Sequence, residues 1–107
     1  MIAVMRPFPV EADGTVRIPE DAPAFAGHFP GKPILPAIAQ IGLVLQALSE
    51  RRGRPARLRV LTGLRFRRTV GPGDRLDVET EGEDRRWRFT LRRGGEVVSS
   101  GRLEVAE

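Results

Sequence analysis

The sequence predicts a small α+β domain in which one long helix packs against an antiparallel sheet. Three observations predict this architecture. Apolar and charged residues alternate with a period of two over most of the second half of the chain, as in half-buried strands. One uncharged segment of helical length lies between a proline-rich loop and Gly53. The 107 residues suit one domain, which we expect to span residues 1–107.

The first elements are expected to be two short strands, over residues 2–10 and 15–19, joined by an Ala-Asp-Gly turn. Pro7 and Pro9 indicate that the first strand lies at an edge or is irregular, because proline has no N–H to donate to a neighbouring strand. Residues 20–36 then form a long loop rich in proline.

The helix is predicted from Ala37 to about Arg51. Pro36 suits a helix start, and Gly53 with Pro55 ends the helix. Apolar residues occupy nearly every face, which is typical of a buried helix. One curved sheet covers only part of such a helix, and a second copy of the chain is the simplest further cover. We therefore expect a dimer.

Four antiparallel strands are expected after Pro55. The first alternates arginines with apolar residues between Arg57 and Arg67, and a later one alternates arginines with Trp87, Phe89 and Leu91. Turns are predicted at the Val-Gly-Pro-Gly-Asp segment and at a Gly-Gly pair. The strand pattern accounts for part of the arginine excess, because acidic and basic residues on neighbouring strands can pair.

The composition excludes several classes of site. The chain has no cysteine, so disulfides, thiolate zinc sites and cysteine nucleophiles are ruled out. With a single histidine, we expect no metal site and no cofactor. The N-terminus does not read as a secretory signal, and the apolar helix is too short and too interrupted to span a membrane. We expect a cytoplasmic protein.

The charge is uneven along the chain. Residues 1–50 carry three basic and five acidic side chains, a net of −2, whereas residues 51–107 carry fifteen and nine, a net of +6. Such a basic half could bind nucleic acid or another acidic partner. Exposed aromatic residues that would stack on bases are missing from the arginine-rich strands, so nucleic-acid binding ranks last among the functions considered and we expect none.

The single histidine, His28, lies in the loop before the helix. A helix N-terminus offers free N–H groups and the positive end of the helix dipole. These N–H groups could stabilise negative charge on a carbonyl oxygen while the imidazole removes the proton from the neighbouring carbon. A loop histidine can equally have a purely structural role, and the residues alone leave both interpretations open.

The loop sequence FAGHFPGKPILP at residues 25–36, followed by an apolar helix, resembles the signature of the β-hydroxyacyl-acyl-carrier-protein dehydratases. The segment GLRFRRTVGPGD at 63–74 is similar to a later strand and turn of the same family. The resemblance implies the hotdog fold, in which a curved antiparallel sheet wraps one long central helix and two chains pair their sheets. It also implies an active site at the interface between chains, with a tunnel for an acyl chain.

The resemblance implies that His28 is the catalytic base and that the start of the helix holds the thioester oxygen. The substrate is then an acyl thioester on the phosphopantetheine arm of acyl carrier protein, or on coenzyme A. The residues expected to contact it, besides the base, are Gly27, Phe29, Pro30, Pro33, Pro36, Ala37, Gly42 and Gln46.

The helix departs from the family pattern in one position that matters for the chemistry. With Gln46 aligned to the glutamine of the family, Gly42 occupies the position of the catalytic glutamate or aspartate. No acidic residue occurs between Asp21 and Glu50. Ala37 also replaces the usual glycine after the last proline of the loop.

Two functions therefore stay open. The chain could be a 3-hydroxyacyl-thioester dehydratase of fatty-acid or polyketide-type metabolism that works through His28 without the helix acid. Alternatively, it could be an accessory subunit that binds acyl thioesters and pairs with a homologue that has the acid. Thioesterase activity ranks lower, because it normally needs a carboxylate or polar group to activate water and we find none near Gly42 on the helix. We expect a homodimer or higher homo-oligomer, or else a heterodimer with a homologue.

Arg65, Arg67 and Arg68 are candidates for docking an acidic carrier protein, because opposite charges favour such contacts. The alternative is that they are strand-surface residues paired with Asp77 or Glu79.

Overall fold

The computed structural model describes residues 8–21 and 34–106. The predicted strand at 2–10 falls mostly outside these residues; within them, Val10 makes one isolated antiparallel bridge with Val16. Strand β1 is short, Val16–Arg17. The turn before it is held by Asp13, whose carboxylate accepts hydrogen bonds from the hydroxyl and the N–H of Thr15 at 2.6 and 3.0 Å. These bonds hold the pKa of Asp13 below its ordinary value, the hydroxyl bond having the larger effect.

Helix α1 spans Ala37–Arg52, one residue beyond the predicted end. Pro36 precedes it in an extended conformation, and Gly53 ends it in the left-handed region with φ 73°. The N–H of Gly53 donates to the carbonyl of Ser49 at 2.9 Å, which closes the last turn. Arg51 and Arg52 lie in that turn, where positive charge complements the negative end of the helix dipole.

Within residues 8–21 and 34–106, the sheet contains five antiparallel strands in the order β1-β3-β4-β5-β2. The strands that follow the helix are β2 (Leu58–Phe66), β3 (Arg75–Glu83), β4 (Arg86–Arg93) and β5 (Glu96–Val105). The four strands predicted after Pro55 are thus confirmed, as is the Gly-Gly turn between β4 and β5. Among the described strands, β2 pairs only with β5, so it forms one edge of this sheet.

The core lies between the helix and one face of the sheet. In β4 the predicted alternation is confirmed, since Trp87, Phe89 and Leu91 are buried while Arg86 and Arg88 are exposed. The other large side chains that are fully buried come from the helix, the loops and the neighbouring strands: Ile18, Leu35, Leu43, Val44, Leu48, Val70, Leu76, Val98 and Val105.

Strand β2 does not show the alternation of buried and exposed faces expected for it. Eight of its nine residues are exposed, including Val60 and Phe66. Its pairing with β5 shifts register between Leu58 and Val60 and again between Thr62 and Arg65. Each shift alters which side of the sheet the following residues face, so a single two-residue period cannot hold along the strand.

The helix also differs from the expectation that it is buried on all sides. Ile38 is 74% exposed, whereas the polar Gln40 is only 3% exposed. The most buried face of the helix therefore includes a glutamine, and an isoleucine of the first turn faces solvent.

Candidate functional site

The predicted site residues divide into two groups. Pro36, Ala37, Gly42 and Gln46 lie at the start and in the first three turns of α1. The predicted base and its loop neighbours lie outside the described residues: Gly27, His28, Phe29, Pro30 and Pro33. Their roles therefore stay predictions.

The segment that leads into the helix is fixed by hydrogen bonds at Leu35. Its N–H donates to the carbonyl of Val70 at 2.7 Å, which joins it to the loop before β3. Its carbonyl accepts a hydrogen bond at 3.3 Å from the side chain of Gln40, one turn into the helix. Leu35 itself is 1% exposed. The position of the helix start relative to the sheet is thus set by both backbone groups of one buried residue.

Gln40 connects this segment to the sheet and was not identified from the sequence. Its Oε1 accepts a hydrogen bond at 2.9 Å from the hydroxyl of Ser99, a fully buried residue in β5. A buried amide and a buried hydroxyl each need a partner, and here they satisfy one another. The signal that could have revealed the pair is a glutamine in the apolar helix together with a serine in an otherwise apolar strand row.

The N-terminus of the helix presents backbone donors. Pro36 supplies no side-chain cap, and no acidic residue lies in the first turn. The N–H groups of Ala39 and Gln40 both donate to the carbonyl of Pro36, at 3.1 and 3.2 Å. Within residues 8–21 and 34–106, the N–H groups of Ala37 and Ile38 have no acceptor, and both residues are exposed. This end of the helix can stabilise negative charge on an oxygen.

Gly42 lies on the helix face that points away from the most buried one. At 3.6 residues per turn, this face also includes Ile38, Leu45, Gln46 and Ser49. All five are exposed or half-buried. A side chain at position 42 would therefore project from the less covered side of the helix, one turn after the exposed Ile38.

The side chain of Gln46 forms two hydrogen bonds with the backbone of Phe8, one as acceptor and one as donor. Its Oε1 accepts from the N–H of Phe8 at 2.8 Å, and its Nε2 donates to the carbonyl of Phe8 at 2.9 Å. These two bonds hold the chain near residue 8 on the helix. The amide still has one N–H and one lone pair to offer, so the predicted substrate contact of Gln46 stays a prediction beside this structural role.

The acidic residue nearest to Gly42 along the helix does not lie beside the position where the family resemblance predicts an acid. Glu50 is exposed and lies eight residues after Gly42, about 12 Å along the helix axis. Within residues 8–21 and 34–106, no cluster of three histidine, cysteine or acidic side chains could hold a metal ion. No helix among the described residues is long and apolar enough to cross a membrane.

The arginines considered for partner docking lie at the end of β2 and just after it. Arg68 pairs with Glu96 at 3.2 Å, and Glu79 pairs with Arg92 at 2.8 Å. The predicted pairing with Asp77 or Glu79 is therefore wrong, because β4 lies between β3 and β5 and supplies the partner of Glu79. Arg67 and Arg68 line one shallow concavity on the sheet together with Arg92. Within the described residues, Arg65 and Arg67 form no ion pair.

Comparison with known proteins identifies the family. A family model described as ApeI-like, ApeI dehydratase, matches residues 8–102. The 3-hydroxyacyl-acyl-carrier-protein dehydratase FabZ of Pelotomaculum thermopropionicum is 36% identical over 104 residues, which cover 91% of this chain and 74% of that protein. The FabZ of Moorella thermoacetica is 48% identical over 64 residues, but the match spans only 45% of that protein and 53% of this chain.

Solved structures show the same fold. The dehydratase heterocomplex ApeI:P from Xenorhabdus doucetiae matches with a TM-score of 0.77 and 20% identity, over 87% of this chain and 84% of that one. An uncharacterized protein from Erwinia carotovora subsp. atroseptica matches with a TM-score of 0.69 and 22% identity, over 86% and 79%. The hotdog fold is thereby confirmed. Because the family model spans most of the chain, the protein belongs to the ApeI-like dehydratase family.

Proposed function

We propose that the chain dehydrates 3-hydroxyacyl thioesters, with His28 as the base and without a carboxylate on the helix. The observation that carries the proposal is the uncapped start of α1. Its Ala37 and Ile38 N–H groups have no acceptor among the described residues, and they come directly after the loop that contains His28. A thioester oxygen placed there would gain stabilisation as charge develops on it.

The proposed reaction needs one proton acceptor and one proton donor. His28 removes a proton from the carbon next to the thioester carbonyl, and negative charge moves onto the carbonyl oxygen at the helix N-terminus. The carbon–carbon double bond then forms as the bond to the β-hydroxyl breaks. The hydroxyl leaves as water with the proton that His28 carries. In this scheme one imidazole serves both steps because position 42 has no carboxylate.

The proposed substrate is carried by acyl carrier protein on its phosphopantetheine arm, or by coenzyme A. The relatives named FabZ act on the carrier-protein form. Arg65 and Arg67 form no ion pair within the described residues and offer positive charge to an acidic carrier. The two substrates can be separated experimentally, because only the carrier-protein thioester would lose turnover when these arginines are replaced.

The direct test follows formation of the conjugated enoyl thioester from a 3-hydroxyacyl thioester. We expect turnover by the wild-type chain and a loss of about 100-fold or more in His28→Ala, the range typical of a general base. A matched control is Arg54→Ala, an exposed residue after the helix, which should leave the rate unchanged. Absence of enoyl product, or equal turnover by His28→Ala, would overturn the proposal.

A second candidate function follows from Gly42 itself. Since the helix supplies no acid, this chain could instead contribute His28 to a site whose acid comes from a homologous partner. One similar solved structure is a heterocomplex of dehydratase chains, which supports assembly with a different chain. In that role, the purified chain alone would be inactive.

This second function can be tested by mixing. The chain is combined with an acid-bearing FabZ homologue whose own loop histidine has been replaced by alanine. Enoyl formation by the mixture, but by neither component alone, would establish a shared site. The same mixture prepared with His28→Ala must then be inactive.

A further inference from the structure

The face of the sheet opposite the helix contains a concavity with a volume of about 550 Å³. The buried residues of β4, such as Phe89, face the helix, so the alternate residues, such as Arg88, face the other way. The lining of the concavity includes Arg88 from β4, Arg102 from β5 and Thr62 from β2. Small-molecule sites have volumes of about 300–1,000 Å³, so the concavity is large enough for a small ligand.

Two arginines in this concavity lie directly opposite one another. Arg88 and Arg102 are partners in the pairing of β4 with β5. Side chains at such positions share one face of the sheet with Cβ atoms about 4.5–5.5 Å apart, and like charges there destabilise the strand pair. Both residues are exposed, and within residues 8–21 and 34–106 neither forms an ion pair. The fold therefore holds two positive charges side by side without compensation from the described residues.

The carboxylates of the concavity do not neutralise this pair. Glu81 is the strand partner of Arg88 on β3, but no ion pair joins the two side chains. Glu104 lies 3.7 Å from Arg86 and 3.9 Å from Arg59. Because Glu81 and Glu104 both line the concavity, a long polyanion such as nucleic acid would meet negative charge there. The two arginines are thus better suited to a compact anion.

A third donor lies beside Arg102. Thr62 of β2 is its partner in the pairing of β2 with β5, so its hydroxyl lies on the same face. Guanidinium groups bind phosphate oxygens through two parallel hydrogen bonds. A phosphate group has three free oxygens and a charge close to −2 at neutral pH, which matches two arginines and one hydroxyl. A single carboxylate has two oxygens and one charge, so it would leave one arginine without compensation.

We propose that the concavity at Arg88 and Arg102 binds the phosphate group of a small molecule, either a phosphomonoester or phosphate itself, with the Thr62 hydroxyl as a further donor. The site lies on the opposite face of the sheet from the helix and is therefore separate from the candidate active site. A bound phosphate group removes the repulsion between the two strands. Since it binds the folded chain only, it also raises the stability of the fold.

The first test measures binding to the full chain in a buffer of low salt without phosphate. Glycerol 3-phosphate and inorganic phosphate are titrated while amide chemical shifts are followed by NMR, and the largest changes should occur at Thr62, Arg88 and Arg102. The variant Arg102→Gln should bind about tenfold or more weakly, as expected for loss of a hydrogen bond to a charged group. The control Arg54→Gln removes the same charge from an exposed residue outside the concavity and should bind as wild type does.

Thermal unfolding provides a second test, in which the variant should change in opposite directions with and without ligand. Without ligand, Arg102→Gln should unfold about 1–4 °C above wild type, because the contact between like charges is gone. With glycerol 3-phosphate at ten times its Kd, the unfolding temperature of wild type should rise by about 6 °C and that of the variant should not. A variant that was merely misfolded would unfold at a lower temperature in both conditions.

Two further probes separate a phosphate site from general effects of charge. Sodium chloride at matched ionic strength should stabilise wild type less than glycerol 3-phosphate does, because screening requires no site. Succinate should bind more weakly, because its two charges lie on separate carboxylates. Equal effects of chloride, equal affinity for succinate, or unchanged phosphate binding by Arg102→Gln would each overturn the proposal.

The two phosphate ligands identify the source of the bound group. Tighter binding of glycerol 3-phosphate than of inorganic phosphate would assign the site to an organic phosphate, and equal affinities would assign it to free phosphate. None of these measurements involves turnover, so their outcome is independent of dehydratase activity.

Discussion

Replacing Gln40 by leucine should destabilise the protein because it breaks the link between the helix start and β5. The side chain is 3% exposed and makes two hydrogen bonds, to the Leu35 carbonyl at 3.3 Å and from the Ser99 hydroxyl at 2.9 Å. Each bond contributes about 1 kcal/mol net, and a buried group left without its partner costs about 1–3 kcal/mol. Two buried groups, the Leu35 carbonyl and the Ser99 hydroxyl, lose their Gln40 partner, so we expect the free energy of unfolding to fall by about 2–6 kcal/mol.

The double variant distinguishes this cause from a simple packing defect. In Gln40→Leu/Ser99→Ala the orphaned hydroxyl is also removed, so the double variant should lose about 1 kcal/mol less than the sum of the single variants. Urea unfolding followed by the fluorescence of Trp87, the single tryptophan, measures all four proteins. Additive losses would refute the reasoning. A change below about 0.5 kcal/mol in Gln40→Leu would also refute it, because surface substitutions have effects of that size.

Two other predictions concern backbone contacts. Gln46→Leu should remove both hydrogen bonds to Phe8 and accelerate hydrogen exchange of the Phe8 amide. An unchanged exchange rate would contradict the conclusion that Gln46 holds the backbone of Phe8. Gly82→Ala should cost about 1–3 kcal/mol or more in urea unfolding, because the new Cβ would lie 2.2 Å from the Arg86 carbonyl oxygen at a φ of 150°. The control Gly95→Ala has no atom within 4 Å of the new Cβ and should be neutral; equal losses in both variants would contradict the explanation.

The features predicted correctly from the sequence depend on neighbours along the chain. Pro36 and Gly53 mark the ends of α1, and the alternation around Trp87 marks the buried face of β4. Local spacing could not predict contacts between distant segments. Ser99 binds a helix residue 59 positions earlier, and Gln46 binds the backbone 38 positions before it.

The behaviour of β2 could not be predicted from spacing because two register shifts interrupt its alternation. Among the described strands, the strand order also places β2 at an edge, and spacing along the sequence does not show the order of strands in a sheet. For the candidate site, the motif around His28 indicated the family, and the family is now shown by the match over residues 8–102. The identity of position 42 was visible in the sequence, but its place on the less covered face of the helix was established by the structure.

The most direct test of the proposed chemistry compares two substitutions of Gly42. Gly42→Glu and Gly42→Gln both replace a glycine, which destabilises a helix interior by about 1 kcal/mol relative to alanine. The two variants differ in that only Gly42→Glu has a carboxylate. With a 3-hydroxyacyl thioester of acyl carrier protein, kcat should rise about 100-fold in Gly42→Glu and not in Gly42→Gln, because only the former adds an acid to the site. Equal kcat values for the two variants would contradict the proposal that Gly42 occupies the position of the missing catalytic acid.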